Sequence, residues 1–231
     1  MRAAVERWWS DLRHEGRLTL SWVHLAALLL LVPLTASPLA ASTGVDDRTL
    51  LLFVRAGLPL LAVALAPGLI LRDVAVGSAE LVATTRSGLG RVWLVRFLLT
   101  FAWLAVVLLI LAGPLAVRVP LRFSPAAVLA ASMVDGFFYM AAAAAAAHRL
   151  SSQTAGQITG ILLWTAGSVI GARPPGGMVW LGYLTPLSPY FFGSPAMLWA
   201  NRAGWALAAL FLVIREVRRL GTVDMLERKE P

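Results

Sequence analysis

The sequence of 231 residues contains no cysteine and a single lysine among its twenty basic residues. Without cysteine, disulfides, thiolate metal sites and cysteine nucleophiles are excluded. A Walker A loop needs a lysine directly before Ser or Thr, because its ammonium group reaches the nucleotide phosphates. The only lysine, Lys229, precedes Glu230. The sequence therefore lacks this ATP-binding motif.

Histidine is also scarce, and the three histidines are His14, His24 and His148. A haem or metal site in a helical bundle is normally built from paired side chains on facing helices. We therefore interpret these residues as ordinary histidines near the membrane surface and expect no metal and no cofactor in this chain. Enzyme sites show clustered acids, His or Ser, whereas Asp46 and Asp47 stand without a nearby His. No catalytic residue is predicted.

Hydrophobic residues dominate the composition at 59%, and the mean hydropathy is +0.77. Apolar runs of about 18 or more residues are typical of membrane spans, since about 20 helical residues cross the hydrocarbon core. The sequence therefore predicts an all-α, multi-pass membrane protein. Small residues in 34–42 leave a cleaved signal peptide as an alternative for the first run. Six spans are predicted, at about residues 18–36, 50–71, 92–117, 126–147, 155–172 and 203–217.

The six spans and their loops are predicted to form one transmembrane domain over residues 18–217, and three further segments have distinct predictions. Residues 1–17 are amphipathic and contain Trp8 and Trp9, which predicts a helix lying in the membrane interface. Residues 173–202 are apolar and aromatic but contain five Pro and four Gly, which predicts short helices or a re-entrant hairpin outside the cell. Residues 218–231 are predicted to form a solvated cytoplasmic tail.

The distribution of arginine predicts the orientation. Six spans place both termini on one side, and fourteen Arg and Lys residues fall on that side. Because positive residues concentrate in cytoplasmic loops, both termini are predicted to be cytoplasmic, in a bacterial-type plasma (inner) membrane. The net charge of +8 is assigned to orientation and lipid headgroups, and not to nucleic acid. The five basic residues on the external side are Arg48, Arg118, Arg122, Arg173 and Arg202.

Asp135 lies within the fourth predicted span and is the clearest candidate for a functional polar residue inside the membrane. A carboxylate at this depth is costly unless it is paired, protonated or faces water. Arg55, in the outer half of the second span, is a candidate partner. Two interpretations stay open: a packing pair, or a polar group that lines a translocation path or a subunit interface.

Two neighbouring stretches carry small and polar residues. The alanine run in 140–150 predicts close helix packing. Residues 151–160, "SSQTAGQITG", place hydroxyls and amides at the start of the fifth span. Two interpretations of these polar residues stay open: they form hydrogen bonds between helices, or they line a translocation path.

The segment "RDVAVGSAELVATTRSGLGR" (residues 72–91) separates the second and third spans. It predicts a short cytoplasmic helix, with a solvated connector as the alternative. Its order of Asp73, Gly77 and Glu80 resembles the permeases of type-2 ABC exporters, which have an acid, Gly and Glu at this spacing between the same two spans. Arg86 follows Thr85 where that family usually has proline. The span number, the interfacial helix and the external hairpin are also similar, so the resemblance covers essentially the whole chain.

The resemblance implies a transmembrane subunit of an ATP-driven exporter. Two permease chains, identical or different, would pair with two ATPase subunits that bind ATP and Mg²⁺, within membrane lipids. Asp73, Gly77, Glu80 and Arg86 would belong to the coupling element that docks on the ATPase. The alternatives are a subunit similar to the membrane B subunit of the haem exporter of cytochrome c maturation, a membrane enzyme, or a non-catalytic anchor.

Overall fold

The computed structural model describes residues 57–69, 71, 88–118, 124–172 and 194–227. Within these residues the regular structure is helical and contains no strand, which confirms the all-α prediction for this part of the chain. The five helices are α1 (Leu58–Leu65), α2 (Gly88–Arg118), α3 (Pro125–Arg149), α4 (Gln153–Ala172) and α5 (Pro195–Glu227).

Three of these helices are long and apolar enough to cross a membrane, over Gly88–Pro114, Pro125–Leu150 and Pro195–Gly221. Each stretch has 26 or 27 residues. At about 1.5 Å per residue they are about 40 Å long, which exceeds the hydrocarbon core of about 30 Å. They correspond to the third, fourth and sixth predicted spans. Helix α4 coincides with the fifth predicted span and has 20 residues, but it is not among the three.

Helices α3 and α5 begin with the same dipeptide, Ser-Pro. The hydroxyl of Ser124 accepts a hydrogen bond from the backbone N–H of Ala127 at 3.3 Å, and Ser194 accepts one from Met197 at 3.4 Å. The proline that follows each serine fits the first helical turn, where its missing N–H costs nothing. This start corrects the sequence boundary, because residues 195–202, assigned to the external hairpin, are helical. Helix α5 also continues to residue 227, beyond the predicted end of the sixth span at 217.

Helix α3 is the centre of the bundle and contacts each of the other four helices. Aromatic rings connect it to α2: the centroid of Phe137 lies 5.6 Å from that of Phe97 and 5.0 Å from that of Phe101. Trp93 extends this packing, with its centroid 5.1 Å from Phe97. Trp93 and Phe97 are completely buried. These contacts hold the first half of α2 against the middle of α3.

A tight turn at residues 150–152 joins α3 to α4. Ser151 has a φ of 48°, and Ser152 caps α4 by accepting a hydrogen bond from the N–H of Ala155 at 3.2 Å. The two helices then run antiparallel in close contact. A Cβ placed on Gly156 would lie 2.5 Å from the Cβ of Ala147 and 2.7 Å from the backbone oxygen of Ala143. The predicted close packing of the alanine run is confirmed.

Helix α1 ends near a proline. Its last helical hydrogen bond runs from the N–H of Ala66 to the oxygen of Ala62 at 3.1 Å. Pro67 follows without an N–H and cannot continue this pattern. Helix α1 packs against α2, α3 and α4, so the second predicted span contributes to the same bundle.

Candidate functional site

A buried ion pair joins α3 to α5. Nη1 of Arg202 donates a hydrogen bond to Oδ1 of Asp135 at 2.5 Å, and the two residues are 1% and 3% exposed. Asp135 lies ten residues after the start of α3, about 15 Å along the helix. An uncompensated charge at that depth is expensive, so each residue supplies the opposite charge that makes burial of the other tolerable. Arg55, the partner suggested by the sequence, lies outside the described residues.

Arg202 was missed because the sequence places it in an external loop. It is instead a fully buried residue of α5. Two signals in the sequence point to this position: the Ser194-Pro195 helix start, and the spacing of Leu198, Arg202 and Ala209, which share one buried face. Arg202 is therefore not one of the loop arginines on which the predicted orientation is based.

Aromatic residues lie on the helical turns next to the ion pair. Tyr139 lies one turn after Asp135 on α3, is completely buried, and interacts electrostatically with Asp135 and Arg202. Its hydroxyl has no hydrogen-bond partner among the described residues. Phe138 packs edge-on against Tyr139 and against Trp205 of α5, with centroid distances of 5.3 and 4.4 Å. The same two helices that form the charged contact are thus also joined by an aromatic contact, between Phe138 and Trp205.

A second buried polar contact joins α3 to α5 near the end of α3. Nδ1 of His148 and Oε2 of Glu216 are 3.1 Å apart, and both residues are buried. The imidazole also packs edge-on against Trp93 of α2, with ring centroids 5.6 Å apart. Glu216 was assigned by sequence to the region where the last span meets a solvated tail, so its burial is a feature that the sequence analysis missed.

The two polar contacts fix the relative direction of α3 and α5. Asp135 pairs with Arg202, and His148 further along α3 pairs with Glu216 further along α5. The order is the same on both helices, so they run parallel. The contacts lie about 20 Å apart along the axes, from about 1.5 Å per residue. Helix α4, which is antiparallel to α3, lies between them in the sequence.

The chain on either side of residues 72–87 is anchored to the bundle, and the start of α2 lies near the His148–Glu216 contact. Nη1 of Arg96 donates a hydrogen bond to the backbone oxygen of Leu69 at 2.8 Å, which connects α2 to the chain just after α1. Gly90, near the start of α2, packs directly on α5: a Cβ there would lie 2.6 Å from the backbone oxygen of Val217. The segment that the sequence predicts as a coupling element thus begins and ends at anchored positions.

Replacing Gly90 with alanine should therefore push α2 away from α5. The methyl group would meet a backbone oxygen, which cannot rotate aside, and overpacking of this kind costs about 1–3 kcal/mol. We expect a lower melting temperature in detergent, measured by the loss of the monodisperse peak after heating. Gly113→Ala on the same helix is the matched control, because no atom lies within 4 Å of its added Cβ. Equal melting temperatures for both variants would contradict the close contact.

The polar start of α4 forms a hydrogen bond between helices. Nε2 of Gln157 donates to the backbone oxygen of Ala64 in α1 at 3.1 Å. Thr159 donates within its own helix, to the oxygen of Ala155 at 2.8 Å. Of the two interpretations of residues 151–160, helix–helix hydrogen bonding thus accounts for Gln157.

Several predicted site residues have no described position. Asp73, Gly77, Glu80 and Arg86 lie outside the described residues, as do His14 and His24. Within the described part of the chain, no group of three His, Cys, Asp or Glu residues is placed to hold a metal ion. His148 has a carboxylate neighbour and an aromatic neighbour there.

No protein-family model matches this sequence, and no curated protein is significantly similar to it.

Proposed function

We propose that the chain is the transmembrane permease subunit of an ATP-driven ABC exporter. In this proposal it has six spans, cytoplasmic termini, an interfacial N-terminal helix and an external hairpin before the last span. Two such permease chains, identical or different, pair with two ATPase subunits. ATP and Mg²⁺ bind to the ATPase, and the permease converts their energy into movement of its helices.

The main support for this proposal is the anchoring of α1 and α2, the helices that precede and follow residues 72–87. The chain enters the segment just after the Arg96–Leu69 hydrogen bond and leaves it just before the Gly90–Val217 contact. Helix α2 also contacts His148 through Trp93. A displacement of the segment would therefore act on α1, α2 and α5 together, and a coupling element requires this kind of connection.

The sequence of the segment supplies the docking chemistry. Glu80 would accept hydrogen bonds from an arginine or from backbone amides of the ATPase, and Gly77 would allow close approach of the two backbones. Asp73 and Arg86 would lie at the two ends of the docking helix. The similarity of this spacing to type-2 exporter permeases supports the same assignment.

The buried polar contacts would keep part of the bundle rigid during transport. Asp135–Arg202 and His148–Glu216 join α3 to α5 at two levels. Helices held at two points move as one body. Alternating access would then shift the α3–α5 unit relative to the second permease chain, with Asp135 close to the path or the subunit interface.

The test is purification of the tagged chain from its native host in mild detergent, with identification of the proteins that copurify. We expect an ATPase with Walker motifs in amounts comparable to the chain. Glu80→Arg should reduce its recovery at least about tenfold, since a buried like charge or lost ion pair at an interface costs about 2–5 kcal/mol.

Asp47→Arg is the matched control, because it makes the same charge change in a segment predicted to lie on the external side. This variant should retain the ATPase. Recovery of the chain alone from several detergents would overturn the exporter proposal and favour a membrane enzyme or an anchor.

A further inference from the structure

The His148–Glu216 contact lies where three helices meet. The imidazole joins α3 to α5 through Glu216 and packs against α2 through Trp93. Trp93 is completely buried, and Glu216 and His148 are 1% and 8% exposed. Leu150, at the end of α3, is already 59% exposed. The imidazole is therefore enclosed by the bundle but lies close to its end.

The hydrogen bonding of this contact leaves one basic atom unused. The 3.1 Å contact joins Nδ1 of His148 to Oε2 of Glu216. An ionised carboxylate only accepts hydrogen bonds, so Nδ1 must carry the hydrogen that is donated to it. Nε2 then keeps its lone pair, and among the described residues neither Nε2 nor Oε1 of Glu216 has a hydrogen-bond partner. The imidazole can therefore take up a second proton at Nε2.

That proton changes the net charge of the pair. With a neutral imidazole the pair carries one negative charge in a buried position, which is unfavourable. A proton on Nε2 gives an imidazolium and a carboxylate with no net charge, joined by a stronger, charge-assisted hydrogen bond. Asp135, the other acid whose side chain the structure describes, lies about 20 Å away along α3 and contacts Arg202.

Basic residues flank the pair on all three helices, whereas the described residues of α1 and α4 carry no charged side chain. The flanking residues are Arg91 and Arg96 on α2, Arg149 on α3, and Arg215, Arg218 and Arg219 on α5. Arg96 is buried and donates to Leu69, and the other five are exposed, where water and salt screen their charge. Glu216 contacts the imidazole directly, so it is the neighbour with the largest effect on the charge of His148.

We propose that His148 and Glu216 form a proton-binding site in which the added proton is held at Nε2. The proton comes from hydronium, and one N–H bond forms at the lone pair of the imidazole. Because Trp93 packs against the same ring, the new positive charge lies beside α2 as well as between α3 and α5. The charge state of the site therefore acts on three helices together. The proposal does not depend on the exporter function.

Nitrogen NMR of a chain with a single histidine tests the proposal. H14Q/H24Q leaves His148 as the only histidine, and the purified full chain is labelled with nitrogen-15 histidine in detergent. The two ring nitrogens differ widely in chemical shift in a neutral imidazole and nearly coincide in an imidazolium. We expect a neutral ring with its hydrogen on Nδ1 at about pH 8 and an imidazolium at about pH 5, the range in which histidine acts as a proton switch.

E216Q in the same chain tests whether the carboxylate belongs to the site. At the pH where half of His148 is charged in the parent chain, the ratio of charged to neutral imidazole should fall about tenfold in E216Q, as expected for loss of a hydrogen bond between charged groups. R215Q is the matched control, because it removes a charge from the adjacent, exposed position. Its ratio should change by less than about twofold.

Three results would overturn the proposal. The first is a ring that stays neutral at about pH 5, and the second is a neutral ring with its hydrogen on Nε2 at about pH 8. The third is an equal ratio in E216Q and R215Q. The first two need no change at Glu216, so they decide the question even if E216Q does not fold.

Discussion

Arg202→Leu is expected to lower the free energy of unfolding by about 3–5 kcal/mol, the usual cost of removing one partner from a buried ion pair. Asp135 would remain buried, about 15 Å along α3 from the start of that helix, without the guanidinium group of Arg202. Either the carboxylate stays ionised in an apolar environment, or it binds a proton to remain there, and both states are unfavourable. The measurement is the melting temperature of the purified protein in detergent.

Two further variants separate charge compensation from simple loss of a side chain. Arg215→Leu removes an exposed arginine from the same helix, and its effect should stay within about 0.5 kcal/mol. D135L/R202L replaces both charges, and it should recover most of the lost stability, because two apolar groups need no compensation. A double variant as unstable as Arg202→Leu would contradict the ion-pair argument.

For the exporter proposed above, the same variants also separate the two interpretations of Asp135. In that proposal, a folded D135L/R202L protein that still supports export would assign the pair to helix packing alone. A folded protein that fails to export would assign it to the path or the subunit interface. Asp135→Asn adds a conservative comparison, since the amide keeps the shape and some of the hydrogen bonding of the carboxylate.

The sequence predicts most of the described helices because their apolar runs are long. The predicted third and fourth spans, at about 92–117 and 126–147, agree closely with α2 and α3. The sequence places the start of α5 too late, because the proline and glycine residues of 173–202 predict an irregular segment up to residue 202. A serine followed by proline is a helix start, however, and a single arginine is tolerated within an apolar helix when an acid faces it.

The pairing of polar residues is harder to predict than the helices that carry them. The sequence identifies Asp135 as costly, but its partner is 67 residues away and depends on how α3 and α5 pack. The burial of Glu216 is hard to predict for a similar reason, because its neighbours Arg215 and Arg218 are exposed while its own side chain turns inward to His148. A helix position decides burial by its angle around the axis, which a composition-based boundary does not consider.

Gly156→Ala is expected to separate α3 from α4 and to destabilise the protein by up to about 3 kcal/mol, at the upper end of the cost of overpacking. Its methyl group would lie 2.5 Å from the Cβ of Ala147 and 2.7 Å from the backbone oxygen of Ala143. Gly204→Ala on α5 is the matched control, because nothing lies within 4 Å of its added Cβ. The melting temperature in detergent should fall for Gly156→Ala and stay unchanged for the control.

Two double variants distinguish backbone contacts from side-chain contacts around α4. Gly156 faces backbone, so G156A/A147G should recover only part of the stability, since the oxygen of Ala143 remains in place. Gly160 faces mainly a side chain instead, with Cγ1 and Cγ2 of Val63 at 2.6 and 2.7 Å from an added Cβ. Gly160→Ala should therefore be rescued more completely by Val63→Ala. If G156A/A147G recovers fully, the approach of the two helices is limited by side chains, and the backbone contact between α3 and α4 is less close than the structure indicates.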